Sequence, residues 1–196
     1  MNDVTIWQLL LGLGVGISLA AASGFRVFTP LLVVSVAVHF FGVTVNSDFN
    51  WVGSWLALII LGTATIVEML SYYIPWVDTA LDVINTPLAL VAGAVVMSGM
   101  MPDIHPGLRW AIALIVGTGA AGITQVATTV VRSASSATTG GLGNNVVSSS
   151  ENVCATGLSI MAFIFPIVAA LLGVTVLIVI AVIARKMIRK VRINSR

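Results

Sequence analysis

The chain has 196 residues, of which 58% are apolar and 8% charged, and its mean hydropathy is +1.08. Nine basic and seven acidic residues fall far short of the roughly 25% charge of soluble domains, which excludes a water-soluble monomer. The single cysteine, Cys154, excludes a disulfide scaffold or a cysteine zinc site within one chain, and His39 and His105 lie too far apart to show metal-ligand spacing. No metal and no cofactor is expected.

A hydrocarbon core about 30 Å thick takes about 20 apolar helical residues. In chain order the candidates are 4–24, 28–44, 54–75 (with Glu68 as its one charge), the short 87–102, 109–131 and the long run 153–184. That last run, interrupted by Pro166 and Gly173, reads either as one tilted, kinked helix or as a short segment followed by a span. The expectation is an all-α polytopic transmembrane bundle of about six spans, with seven as the alternative. It forms one transmembrane domain over 1–184, followed by a basic tail over 185–196. The first segment reads as retained rather than as a signal peptide, because its leading residues carry Asp3 and no Lys or Arg.

Six of the nine basic residues stand in the tail: Arg185, Lys186, Arg189, Lys190, Arg192 and Arg196. The positive-inside rule makes this end cytoplasmic, which predicts a multi-pass protein of the plasma (inner) membrane. With six spans the amino terminus is also inside, Arg109 is cytoplasmic, and Arg26 and Arg132 are outside. Arg185, Lys186, Arg189 and Lys190 are candidates for anionic lipid head groups; this charge run does not imply nucleic acid. The five tryptophans, Trp7, Trp51, Trp55, Trp76 and Trp110, all fall at predicted span ends, as an interfacial aromatic belt requires.

A weak internal repeat divides the domain into units of about 4–44, 54–102 and 109–184. Trp7, Trp55 and Trp110 are followed seven residues on by Gly14, Gly62 and Gly117. Thr29-Pro30-Leu31 resembles Thr86-Pro87-Leu88, with Phe165-Pro166-Ile167 a degenerate third copy. Thr at an N-cap with Pro at the first helical position is a helix start, so short helices are predicted to begin at Pro30 and Pro87. Paired Pro-interrupted segments point to a transporter site; the plain alternative is two short helices ending at loops.

The charged residues at membrane depth supply the candidate site. Glu68 inside a span is costly unless paired, protonated or hydrated, so it reads as a proton- or cation-linked group, or else as a partner of Arg26 or of a backbone cap. Asp78 and Asp82, spaced i, i+4, share one helix face and either need a compensating charge or form a solvated turn. Arg26, just ahead of Thr29-Pro30, is either an anion locus beside a helix N-terminus or the ion-pair partner of Glu68, Asp78 or Asp82. Arg26, Glu68, Asp78, Asp82, Thr29 and Thr86 therefore form the candidate ion- or substrate-binding set. The polar, small-residue stretch 132–152 reads as a flexible loop, with a lid or re-entrant pore lining as the alternative.

At Gly24-Phe25-Arg26-Val27-Phe28-Thr29-Pro30-Leu31-Leu32 and at Glu68, Ile74-Pro75-Trp76-Val77-Asp78, Asp82, Pro87 and Ala92-Gly93-Ala94, the chain resembles one bacterial family. Its members are small polytopic membrane proteins, uncharacterised and known only as a domain of unknown function. The resemblance covers roughly the first 100 residues. It implies membrane residence and the acidic stretch as the characteristic feature, and it implies no substrate. Members often carry an Asp-Lys pair before Ile-Pro, where this chain has Tyr72-Tyr73, so an activity that depends on that pair would differ here.

Together these features favour a small transporter or channel-like protein for an ion or small polar solute, not an enzyme. Lipid, a second copy or another membrane subunit is the expected partner. The rival is a non-transporting assembly or scaffold subunit, whose small-residue faces pack closely. A lipid-acting intramembrane enzyme ranks third, because no nucleophile stands at a recognisable offset from a base.

Overall fold

The computed structural model describes residues 5–74, 77–171, 173–175, 177–179 and 182, with the side chains of Asp78 and Thr79 outside that description. The basic tail, and with it Arg185, Lys186, Arg189 and Lys190, lies outside the described residues. The helices are α1 (Ile6–Ser23), α2 (Phe28–Phe41), α3 (Trp55–Ser71), α4 (Val77–Met100), α5 (Pro106–Ile112), α6 (Thr118–Thr139) and α7 (Asn144–Ile164). A 3₁₀ turn over Ser47–Gly53 precedes α3, and a π-helical segment over Ala113–Gly117 joins α5 to α6. A further helical segment, Pro166–Val179, follows α7. No strand occurs among the described residues.

Local chemistry sets three of the helix starts. Thr5 and Gln8 form a reciprocal capping box at α1: the Thr5 hydroxyl accepts the Gln8 N–H, and the Gln8 side-chain oxygen accepts the Thr5 N–H. Ser54 caps α3 through the Ala57 N–H at 3.1 Å, and His105 with Pro106 opens α5. The helix α2 is different. Its preceding residue Val27 has helical backbone angles and no side-chain cap of its own.

The helices run between two ends of one bundle. At the first end lie Trp7, Trp55 and Trp110, all exposed, where α1, α3 and α5 begin. The 3₁₀ turn is tied there to the α4–α5 connection: the Asn46 N–H donates to the Gly99 carbonyl at 2.9 Å. Asp103 accepts from the Ser47 hydroxyl, and buried Arg109 pairs with Asp48 and Asp103. The other end gathers the residues following α1, the α3–α4 turn and the α6–α7 hairpin. The segment Pro166–Val179 runs beside α1 in the same direction: Ala170 meets Gly14, Gly173 meets Ser18, and Thr175 and Val179 border one groove with Phe25.

α1 sits at the centre, against α4, α6 and α7. Its last turns, from Ser18 to Ser23, are buried, around a core that includes Leu19, Val34, Ala92, Val96 and Ala120. Small residues allow this density. A Cβ on Gly93 of α4 would stand 2.6 Å from the Gly117 carbonyl, so α4 and the π-helical segment touch backbone to backbone, as close membrane packing requires.

Among the described residues, three helices are long and apolar enough to cross a membrane: Ile6–Ser23, Ala80–Met100 and Pro106–Thr139. A fourth qualifies if Ser47–Gly53 and Trp55–Ser71, bent by 67°, form one span. Phe28–Phe41 and Pro166–Val179 are apolar but shorter. The chain is an α-helical protein with membrane-spanning character.

Three sequence expectations change. No helix begins at Pro87, which lies inside α4. The Thr86 hydroxyl bonds back to the Asp82 carbonyl at 2.7 Å, the i−4 geometry of a mid-helix threonine rather than of a cap. Nor is 132–152 a loop: α6 continues to Thr139, Gly140 at φ 62° and Gly141 at φ 93° make the turn, and α7 starts at Asn144. Serines and threonines here satisfy themselves on their own helix carbonyls, as Ser133, Thr138 and Ser150 do. Finally, Pro166 follows the end of α7, so the third repeat copy does not occupy the place of Pro30.

Candidate functional site

At the hairpin end, four helices (α3, α4, α6 and α7) and the connections after α1 and α3 deliver charged or polar side chains into one buried network. Arg26 leads. It follows α1, is 1% exposed, and pairs with Glu151 of α7 at 3.2 Å. Its Nη2 donates to the Ser148 carbonyl at 3.1 Å and its Nε to Asn152 Oδ1. Arg132 of α6 reaches the same carboxylate in a forked contact, Nε to Oε1 at 3.1 Å and Nη2 to Oε2. Both guanidiniums therefore share Glu151 Oε2. Arg26 does form an ion pair, but its partner is Glu151, which stands outside the set Glu68, Asp78 and Asp82.

Tyr72, in the turn between α3 and α4, lies between the two arginines. The Arg26 guanidinium carbon is 3.9 Å from the ring centroid and that of Arg132 is 4.1 Å. Stacks of this kind contribute about 0.5–2 kcal/mol each, more when desolvated. The phenol donates to Asp82 Oδ1 at 3.2 Å and accepts from Asn85 Nδ2 at 2.9 Å. Burial, with Asp82 beside it, holds this phenol above its ordinary pKa, so it stays a neutral O–H donor. Asp82 also lies 3.7 Å from Arg132 Nε.

Glu68 supplies the cap that α2 lacks. Its carboxylate accepts the Val27 N–H at 2.8 Å and the Phe28 N–H at 3.1 Å, two donors that a helix start leaves without an internal partner. A negative charge at this position also meets the positive end of the helix dipole. Asn85 donates to both Glu68 and Tyr72, joining this cap to the arginine pair.

The remaining expected site residues sit as follows. Thr29, in the first turn of α2, is buried and its hydroxyl has no partner among the described residues. Thr86 faces outward from the network, towards Gln125 Nε2 at 3.4 Å. Asp78 falls in the first turn of α4, its side chain outside the described residues. Arg26, Glu68 and Asp82 thus join one network, and Thr86 does not. Among the described residues no three His, Cys, Asp or Glu side chains come together in a metal-binding group.

Sequence reasoning missed Arg132, Ser148, Glu151, Asn152, Asn85 and Tyr72 as members of the network. One signal was present. Arg132 and Glu151 stand on either side of Gly140-Gly141 at similar distances, as opposite charges do when a hairpin folds at a Gly-rich helix stop. The departure Tyr72-Tyr73 also falls here: Tyr73 lies within hydrogen-bonding distance of Ser149 and Asn152 on α7.

A family described as a domain of unknown function (DUF4126) matches residues 13–186. The chain belongs to this family. The DUF4126 match extends well beyond the first 100 residues, taking in α6, α7 and both halves of the Arg132–Glu151 pair. No curated protein and no solved structure matches the chain.

Proposed function

We propose that this DUF4126 protein is a small transporter or channel-like protein for an ion or small polar solute, and that the network around Tyr72 is its working site. One observation carries the reading: Arg26, Glu151 and Arg132, all at most 4% exposed, meet within the bundle. Desolvating such a triad costs several kcal/mol per ion before pairing offsets it, and apolar residues of similar volume are often at least as stable. A bundle that only had to fold would do without it, whereas ionisable groups at membrane depth mark ion and solute paths.

The topology of the site follows from the same reading. α1, α2, α3, α4, the α5–α6 rod, α7 and Pro166–Val179 each run from one end to the other, so we take the passes as seven rather than six. Val179 lies at the network end, and six of the nine basic residues follow it in sequence. The positive-inside rule then makes the network end, with Arg26 and Arg132, cytoplasmic in the inner membrane, and puts the amino terminus and the tryptophan end outside. The basic tail would meet anionic head groups on that side.

The test is flux in reconstituted vesicles, with sodium, potassium, proton, chloride and nitrate gradients imposed in turn. We expect one of these ions to cross at rates that Glu151→Gln and Glu68→Gln reduce at least tenfold. A folded, correctly inserted protein that passes none of them refutes the reading. The scaffold alternative has its own support, since Glu151 is matched by two arginines and Glu68 by two N–H groups. A silent flux assay together with co-purification of a membrane subunit would favour it.

A further inference from the structure

We infer that Glu68 is a proton-controlled latch: ionised, it holds the α1–α2 connection and keeps Arg26 on Glu151; protonated, it frees that connection and lets Arg26 leave α7. This rests on the transport reading for its use, but the latch can be tested without flux.

The backbone at Arg26 is held from two sides. The Gly24, Phe25 and Arg26 amides bond back to the Ala21 and Ala22 carbonyls of α1. The next two amides, of Val27 and Phe28, bond to the Glu68 carboxylate. A peptide unit is planar, so the Val27 N–H and the Arg26 carbonyl turn together. The Arg26 Cα therefore stands between one peptide fixed by α1 and one fixed by Glu68. That backbone aims the guanidinium at Glu151, Ser148 and Asn152 on α7. The first anchor does not depend on pH; the second does.

The donors around Glu68 fit a carboxylate alone. Oε1 accepts the Val27 N–H and, at 3.3 Å, Asn85 Nδ2, while Oε2 accepts the Phe28 N–H. Asn85 has to present its amino group here, because the same nitrogen donates to the Tyr72 hydroxyl, whose own hydrogen goes to Asp82. A protonated carboxyl would set an O–H donor against one of these N–H groups. It would also lose the charge that strengthens the bonds and meets the helix dipole. The charged and titratable groups near it are Arg26, Tyr72, Asp82 of α4, Arg132 of α6 and Glu151 of α7, with Asp78 one turn before Asp82; the first turn of α2 adds none. Glu151 and Asp82 both face arginines, whereas Glu68 is held by N–H groups, so a proton on Glu68 breaks no ion pair. When Arg26 then leaves, Arg132 keeps its forked contact with Glu151 and the carboxylate is not stranded. The freed Arg26 is the cation that meets an entering solute. A chain fixed in either state cannot cycle, in keeping with the lowered flux expected of Glu68→Gln.

The experiment is hydrogen exchange followed by NMR on the full-length protein in detergent, from about pH 8 to about pH 4, corrected for the intrinsic pH dependence of exchange. An environment-sensitive fluorophore on Cys154, the single cysteine, reports on Arg26, because Cys154 is exposed and borders one groove with Glu151 and with Phe25, the neighbour of Arg26. In the unmodified chain, protection at Val27 and Phe28 should fall about tenfold in a single-proton step as pH is lowered, and the fluorescence should shift with the same midpoint. The Ala57 amide, capped by the Ser54 hydroxyl, should keep its protection. Glu68→Gln, whose single acceptor oxygen cannot serve both amides, should abolish the step and hold the fluorescence at its acid value. Constant protection in the unmodified chain, equal loss at Ala57, a fluorophore that does not respond when the amides open, or a step that persists in Glu68→Gln would each overturn the proposal; the first three need no variant to fold. A working latch without vesicle flux would leave the device standing and remove transport; flux with a pH-independent cap would do the reverse.

Discussion

Arg132 and Glu151 face each other across the α6–α7 hairpin, joined by two hydrogen bonds, and Arg26 completes the triad from the end of α1. The pair clamps the hairpin, and the third charge ties that hairpin to the central helix. Glu151→Gln leaves two buried guanidiniums without their shared counter-charge, and should cost about 3–5 kcal/mol. Unfolding of the purified protein in detergent measures this. The double variant Arg132→Gln/Glu151→Gln should lose less than the sum of the single variants, since each single change leaves a charge behind.

Glu68 replaces a local cap with a distant one. Glu68→Ala should expose the Val27 and Phe28 amides, with faster hydrogen exchange at those two positions and a stability loss of about 1–2 kcal/mol. Exchange at the Ala57 amide, capped by Ser54, should not change. An equal rise at both helix starts would show general loosening rather than a cap.

Tyr72 separates stacking from hydrogen bonding. Tyr72→Phe keeps the ring between Arg26 and Arg132 but removes the phenol that serves Asp82 and Asn85, for a loss of about 1–3 kcal/mol. Tyr72→Leu removes both and should be the worse variant, by about 1–2 kcal/mol more. Melting temperatures of the two side by side decide the order.

Two glycines in the α4–α6 region should respond oppositely to alanine. A Cβ at Gly93 would lie 2.6 Å from the Gly117 carbonyl and 2.6 Å from the Ala121 Cβ. Since backbone cannot step aside locally, Gly93→Ala should cost on the order of 1–3 kcal/mol. Gly119, with nothing within 4 Å of its would-be Cβ, should accept alanine with no loss, or a gain of up to about 1 kcal/mol. Thermal unfolding in detergent checks both.

The membrane character, the helical class and the tryptophan-marked helix starts were legible in the sequence, because each follows from a local quantity: hydropathy over a span, a capping residue, an interfacial ring. Glu68 and Arg26 were also legible as anomalies, since a charge in an apolar stretch announces its own cost. Their partners were not. Local rules gave Thr29 and Thr86 the work of capping helices, whereas the tertiary structure gives α2 a carboxylate from α3 and runs α4 straight through Pro87.

The polar stretch 132–152 misled for a related reason. Serine, threonine and glycine disfavour helix when their backbone faces water. In this bundle the hydroxyls bond to carbonyls of their own turn, and packing against neighbouring helices maintains the helical form. The sequence by itself determined that charges are buried somewhere in this protein. Only the tertiary structure decided that Arg26, Tyr72, Arg132 and Glu151 meet, because a buried charge takes its partner from whichever helix brings one within reach, and chain distance does not enter into that choice.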